Sequence, residues 1–371
     1  MRVFHCDHCS HLLFFENTHC VACGHQVAYL PDLGLVGSLD PTGDGRWRSP
    51  LPRASGAYRL CRNYEYEQVC NWAVPAEDAN ALCQSCRLTH VIPNLAVPGH
   101  REAWYRLEVA KRRLVVTLLA LGLPLQSRDQ DPDHGLAFEF KTDADDPLAP
   151  RVLTGHASGV ITVNAAEADD AERERRRTSM YEPYRTLLGH MRHESGHHYW
   201  DRLVCNRPPL EGFRRLFGDE QRDYDAALQA YYANGAVPDW QSRFVSAYAS
   251  AHPWEDWAET WAHYLHMIDT LETAAACGLT LRPRRTDEPS LPHPPSGVPS
   301  RTPFDELIAS WFPLTYALNS LNRGLGLADA YPFVLSLPAI EKLRFVHQVV
   351  IETSRASTDS PEFQSDSPCR A

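Results

Sequence analysis

Five consecutive residues, His193-Glu194-Ser195-Gly196-His197, carry the densest chemistry in the chain. On a helix, residues four apart share a face, so both imidazoles can reach one zinc ion while Glu194 addresses a water beside it. Tyr184 to Arg192 reads as helix leading into the motif, and Tyr199, Trp200 and Leu203 supply apolar packing behind it. His190 and His198 are expected at the surface or in packing rather than on the metal. A catalytic zinc of this kind needs a third protein ligand and an open position for water. Glu194 would then take the water's proton and return it to the leaving amine.

The third ligand does not come from the extension that adds a glycine and a further histidine, because Trp200 and Leu203 occupy those places. It is better sought in His252-Pro-Trp-Glu-Asp-Trp-Ala-Glu-Thr-Trp-Ala-His263, where Glu255 and Glu259 lie four apart on an aromatic, alanine-rich helix. Buried carboxylates on such a face are costly unless a cation or hydrogen-bond donors satisfy them. Zinc would satisfy one, and orientation of a ligand the other. Glu220, in the polar run Gly218 to Asp223, looks solvated and is a weaker ligand candidate.

A second set of metal donors lies at the N-terminus. Cys6-x-x-Cys9 and Cys20-x-x-Cys23 are two knuckles whose thiolates can complete a tetrahedral zinc site. His5, His8, His11, His19 and His25 stand nearby, but four thiolates already saturate a structural site. Cys61, Cys70, Cys83 and Cys86 form a less regular set, expected to hold a second structural zinc. The metal complement is thus one catalytic zinc and one or two structural ones.

The chain has 371 residues and a net charge of −11, which disfavours generic binding to nucleic acid or anionic membranes. Residues 1–100 hold seven arginines against nine acidic residues, a net −2, so the ribbons lack the basic face that phosphate binding needs. A structural or protein-binding role is expected for them instead. The longest apolar run, Leu114 to Leu125, is too short to span a bilayer and contains Pro124. The polar start carries no secretory pattern, and a cytoplasmic location is expected. Eight of the eleven cysteines fall within the first 86 residues, which in a reducing compartment points to metal rather than disulfides.

These residues need elements to hold them. Residues 1–98 are cysteine-rich and turn-rich and read as a zinc-ribbon region, with four-cysteine sites at 6–23 and 61–86. Residues 99–355 read as one mainly helical domain, and 356–371 as a disordered tail. A helix is predicted from His100 to about Leu121, ending at Gly122 and Pro124. Leu136–Lys141 and Gly159–Asn164 read as strands. Further helices are predicted from Pro183 to about Val204, from Pro253 to about Ala276, over 304–322 and over 338–354, with a proline-rich loop at 283–303. The fold class is α+β: N-terminal ribbons, then a mainly helical domain with a small sheet.

Glu255-Asp-Trp-Ala-Glu259 resembles the E-x-x-A-E helix that supplies the third ligand in one group of zincin metallopeptidases. That resemblance implies Glu255 as the ligand and Glu259 as its supporter. Such enzymes can place a tyrosine two turns before the ligand glutamate to steady the oxyanion, and Tyr248 stands there. His252 is a further supporting residue, and a second donor to the oxyanion, on the same segment. More closely, the chain resembles bacterial zinc-binding metallopeptidases with an N-terminal zinc ribbon. The resemblance rests on Cys6–Cys23, Cys83-x-x-Cys86-Arg-Leu, His193-Glu-Ser-Gly-His-His-Tyr-Trp-Asp201 and Pro253-Trp-Glu-Asp-Trp-Ala-Glu259, and covers about residues 1–280. It implies a zincin-like domain that cleaves a peptide or protein substrate.

Overall fold

Short alternating segments broken by cysteine turns cannot build helices, and before residue 98 the chain closes into small antiparallel sheets. A computed structural model describes residues 2–54, 56–144, 150–179, 184–295 and 301–359. Strands β1 (Phe4–His5) and β2 (Leu12–Leu13) pair antiparallel, with Phe4 opposite Leu13. A five-stranded antiparallel sheet then runs in chain order through β3 (Gln26–Leu30), β4 (Leu35–Pro41), β5 (Trp47–Arg48), β6 (Ala57–Leu60) and β7 (Ala73–Pro75). One helical turn, α1 (Arg62–Glu65), separates β6 from β7.

Strand β8 (Thr89–Val91) ends the ribbon region, and α2 (His100–Ala120), β9 (Ala137–Lys141), β10 (Gly155–Ala157) and β11 (Val160–Asn164) follow. The sheet order is β10-β11-β9-β8, with β8 and β11 both parallel to β9. Helices α3 (Asp170–Ser179), α4 (Leu187–Leu203), α5 (Leu210–Phe217), α6 (Tyr224–Asn234), α7 (Pro253–Ala276), α8 (Phe304–Gly324) and α9 (Leu337–Asp359) complete the chain. A β-rich ribbon region is therefore followed by a mostly helical domain with interspersed small sheets.

Three helix limits differ from expectation. The motif helix starts at Leu187, because Thr186 caps it by accepting the Gly189 N–H at 2.9 Å; Pro183 lies outside the described residues. Helix α8 accommodates Pro313 and reaches Gly324. Helix α9 passes Ser354, carried by the buried Val346, Val349, Val350 and Thr353, so residues 356–359 are helical rather than disordered. The rest of the expected tail, 360–371, lies outside the described residues.

The chain divides into two compact units, one of residues 1–116, 126–155 and 160–173, the other of 117–125, 156–159 and 174–371. In the first, α2 buries Trp104, Leu107 and Leu114 together with Glu108, Lys111 and Arg112. The charges are matched: Lys111 Nζ lies 2.9 Å from Glu108 Oε2, and Arg112 donates to the carbonyl of Val69, next to Cys70. Removing one partner from such a group strands the other, which costs more than the pair itself contributes.

In the second unit α4 packs directly on α7. The middle residues of His193-Glu-Ser-Gly-His197 make that contact. Trp257 Nε1 donates to the Gly196 carbonyl at 2.9 Å, and Trp261 Nε1 to Ser195 Oγ at 3.1 Å. A Cβ on Gly196 would come within 2.9 Å of Ala258 Cα, so only glycine allows the two backbones this close. At the start of α7, Lys342 of α9 reaches the buried Asp256 at 2.6 Å. Among the described residues no helix is long and apolar enough to cross a membrane.

Candidate active site

The four-residue spacing of the motif puts His193 and His197 on one face of α4, with ring centroids 5.0 Å apart. On α7 the same spacing puts Glu255 and Glu259 one turn apart, and the close contact at Gly196 brings the two faces together. Pro253 occupies the first turn of α7, where its missing N–H costs nothing. Glu255 is 1% exposed. Its Oε2 lies 3.0 Å from His193 Nε2, and its Oε1 lies 3.5 Å from His197 Nε2. Glu259 takes the other side of His193: its Oε1 lies 2.7 Å from Nδ1, while Ser246 Oγ donates to Oε2 at 2.6 Å.

These residues suit a zinc ion. The ligand atoms of His193, His197 and Glu255 all lie within 4.8 Å of one another. Two atoms each about 2 Å from a tetrahedral zinc stand about 3.3 Å apart, close to the 3.0 Å between His193 Nε2 and Glu255 Oε2; His197 Nε2 lies 3.5 Å from the other carboxylate oxygen, Oε1. Glu255 Oε2, although buried and facing His193, lies outside hydrogen-bonding geometry. A shared cation satisfies such an arrangement and a hydrogen bond does not.

Without a metal the buried charges of the cluster compensate one another. Burial works against a charged His193, yet Glu255 and Glu259 hold its pKa well above the ordinary imidazole range. Burial would raise Glu255, but His197 and His193 keep it well below the ordinary carboxylate range. Burial lifts Glu194 above its usual value, partly offset by the two histidines.

Tyr248 lies beside this cluster, its ring centroid 5.9 Å from that of His193. His252 has a different place: Nδ1 accepts the Trp254 N–H at 3.1 Å as the N-cap of α7, and Nε2 lies 3.1 Å from the Arg222 carbonyl. Glu220 is held by Arg214 at 3.0 and 2.6 Å. His198 is buried against Tyr199, a packing role. Sequence reasoning missed Tyr224, which donates to Glu255 Oε1, Ser246 behind Glu259, and Trp254, 3.9 Å from the His197 ring. It also missed His156, whose ring centroid is 6.2 Å from that of His197. Trp254 stands next to Glu255 in the segment that carries the resemblance; Tyr224, Ser246 and His156 have no local pattern that would single them out and reach the site through packing.

In the ribbons, Cys6, Cys9, Cys20 and Cys23 converge, with Sγ separations of 3.6 Å (Cys6–Cys23) and 3.5 Å (Cys9–Cys20). Thiolates on one zinc stand about 3.8 Å apart. Both knuckles close alike, Ser10 N–H donating to Cys6 O and Gly24 N–H to Cys20 O, with Gly24 at φ +75°. The nearby histidines stay outside: His25 Nδ1 contacts Cys23 Sγ at 3.3 Å, and His8 pairs with Asp40 at the surface. Cys61, Cys70, Cys83 and Cys86 also converge, all buried, with Cys70 and Cys83 sulfurs 3.7 Å apart. The turn of α1 returns the chain after Cys61, which is how two cysteines nine apart serve one site. Among the described residues the structure thus presents two four-thiolate clusters for structural zinc, one His-His-Glu cluster for catalytic zinc, and a further, more exposed convergence of His8, His25 and Asp40.

An HExxH helix, a glutamate from a second helix and a ribbon region in front define a zincin-like metallopeptidase with zinc ribbons. The chain belongs to the family described as "Putative zinc-binding metallo-peptidase", whose model matches residues 100–349, and a zinc-ribbon domain matches residues 3–97. It is 44% identical over 365 residues to uncharacterized proteins of Mycobacterium bovis and Mycobacterium tuberculosis, covering 98% of each chain. No solved structure matches it significantly.

Proposed function

We propose that this protein cleaves peptide bonds, with zinc held by His193, His197 and Glu255 and with Glu194 as general base. The carrying observation is the convergence of those three donors with Glu259 bonded to the far nitrogen of His193. Zinc held there supplies Lewis acidity: it polarises a carbonyl and lowers the pKa of a water toward about 7. The chain handles the protons. Glu194 takes one from the attacking water and delivers it to the leaving amine, a transfer favoured by a carboxyl that burial has raised. Tyr248 donates to the oxyanion as it develops. Glu259, itself held by Ser246, fixes the His193 ring so that Nε2 is the ligating nitrogen. The ribbons serve as structural or protein-binding modules, nucleic acid is not a partner, and the protein works in the cytoplasm.

The test is an unbiased peptide-library digest by wild type and Glu194→Gln, with metal content measured in both. Wild type should cleave, and the variant should keep its zinc yet lose about 100-fold or more in rate. Wild-type turnover by Glu194→Gln would sink the mechanism. A zinc-loaded wild type that cleaves no peptide would favour a non-catalytic scaffold.

A further inference from the structure

Glu255 has no access to bulk water, so the protein must satisfy both of its oxygens. It does so unequally. Oε1 accepts a hydrogen bond from the Tyr224 hydroxyl and lies 3.5 Å from His197 Nε2, whereas Oε2 faces His193 Nε2 outside hydrogen-bonding geometry. Tyr224 is itself fixed. It is the first residue of α6, whose N-cap Asp223 accepts the Ala226 N–H at 2.9 Å. Its ring packs edge-on against His252 at 5.2 Å and Trp254 at 5.5 Å, on either side of the entry to α7. No residue of α6 is fully buried, so the packing of that helix does not account for a hydroxyl at its first position.

We infer that Tyr224 is a positioning residue of the metal centre, holding Glu255 Oε1 so that Oε2 is the oxygen offered to zinc. A carboxylate can grip zinc with one oxygen or two. Binding through both would crowd the position that catalytic sites keep open for water. A phenol on Oε1 draws charge from that oxygen and fixes the rotation of the carboxylate, which favours one-oxygen binding. The hydroxyl adds a polar link from α6 to the ligand carboxylate beside the ring contact with Trp254. This inference rests on Glu255 being a ligand.

The experiment compares wild type, Tyr224→Phe, Glu255→Ala and the double variant in the full chain. Catalytic-site zinc is followed at graded chelator concentrations, with the ribbon zincs counted separately, and the cobalt(II)-substituted proteins are examined by visible absorption. Phenylalanine keeps the ring contacts and removes only the hydroxyl. Tyr224→Phe should weaken catalytic-site metal affinity about 10–100-fold and change the cobalt spectrum. In the Glu255→Ala background the same change should add nothing. Tyr224→Phe curves and spectra that superimpose on wild type, with Glu255→Ala stripped of metal, would overturn the positioning role alone. Unchanged metal affinity with lost turnover would also overturn it, making the hydroxyl a catalytic group. Should Glu255→Ala retain its zinc, the ligand assignment falls and this inference falls with it.

Discussion

His193 is gripped from both ends, Nδ1 by Glu259 and Nε2 toward Glu255, and the two carboxylates therefore make unequal demands on the metal. In the proposed arrangement Glu255 contributes charge where the ligands converge, while Glu259 orients an imidazole. Glu255→Ala should empty the catalytic zinc site and abolish activity. Glu259→Ala should cost about 10–100-fold in affinity or activity and hold metal under excess zinc. Glu220→Ala should leave metal binding unchanged, because that carboxylate is spent on Arg214. Chelator titration of the three variants orders them; metal loss in Glu259→Ala with retention in Glu255→Ala would move the ligand by one turn.

At the level of elements, the two variable residues of the motif matter as much as the histidines. Ser195 and Gly196 form the seat for Trp261 and Trp257, and the glycine sets the distance between α4 and α7. Gly196→Ala adds about 1 kcal/mol of helix propensity but drives a methyl into the backbone of α7. Overpacking of that kind typically costs about 1–3 kcal/mol, so the net effect should be destabilising, with weaker zinc binding as the helices part. Thermal unfolding with and without chelator checks this. A variant as stable as wild type would show that the helices can part without penalty.

For the whole molecule, the two four-cysteine clusters and the His-His-Glu cluster imply about three zinc ions per chain, measurable by elemental analysis of cleanly purified protein. Two would put the cluster of Cys61 and Cys70 in doubt. A second global property is acid sensitivity. Burial holds the His266 imidazole down at about 3 and that of His347 at about 4, below the value near 6.5 of an unfolded chain. The unfolded state therefore takes up protons first as pH falls. The stability these rings contribute is complete above about pH 6.5 and is lost on descent toward about pH 4 and 3. His347→Gln should flatten part of that decline in denaturation midpoints; an equally steep curve would count against the assignment.

The motif spacing on α4, the paired glutamates on α7 and the four cysteines of the first ribbon were legible because each lies within one helix or one pair of turns, where periodicity places side chains directly. The strands at 137–141 and 160–164 and the helix from His100 were legible for the same reason. Tertiary packing decided the rest. It brought α4 against α7 through Gly196, and it joined Cys61 and Cys70 to a knuckle thirteen residues further on. It turned His252 into a helix cap and delivered Tyr224 and Ser246 to residues 31 and 13 positions away. Contacts between residues far apart in sequence leave no period to read; they exist only once the chain has closed and buried polar groups must find their partners.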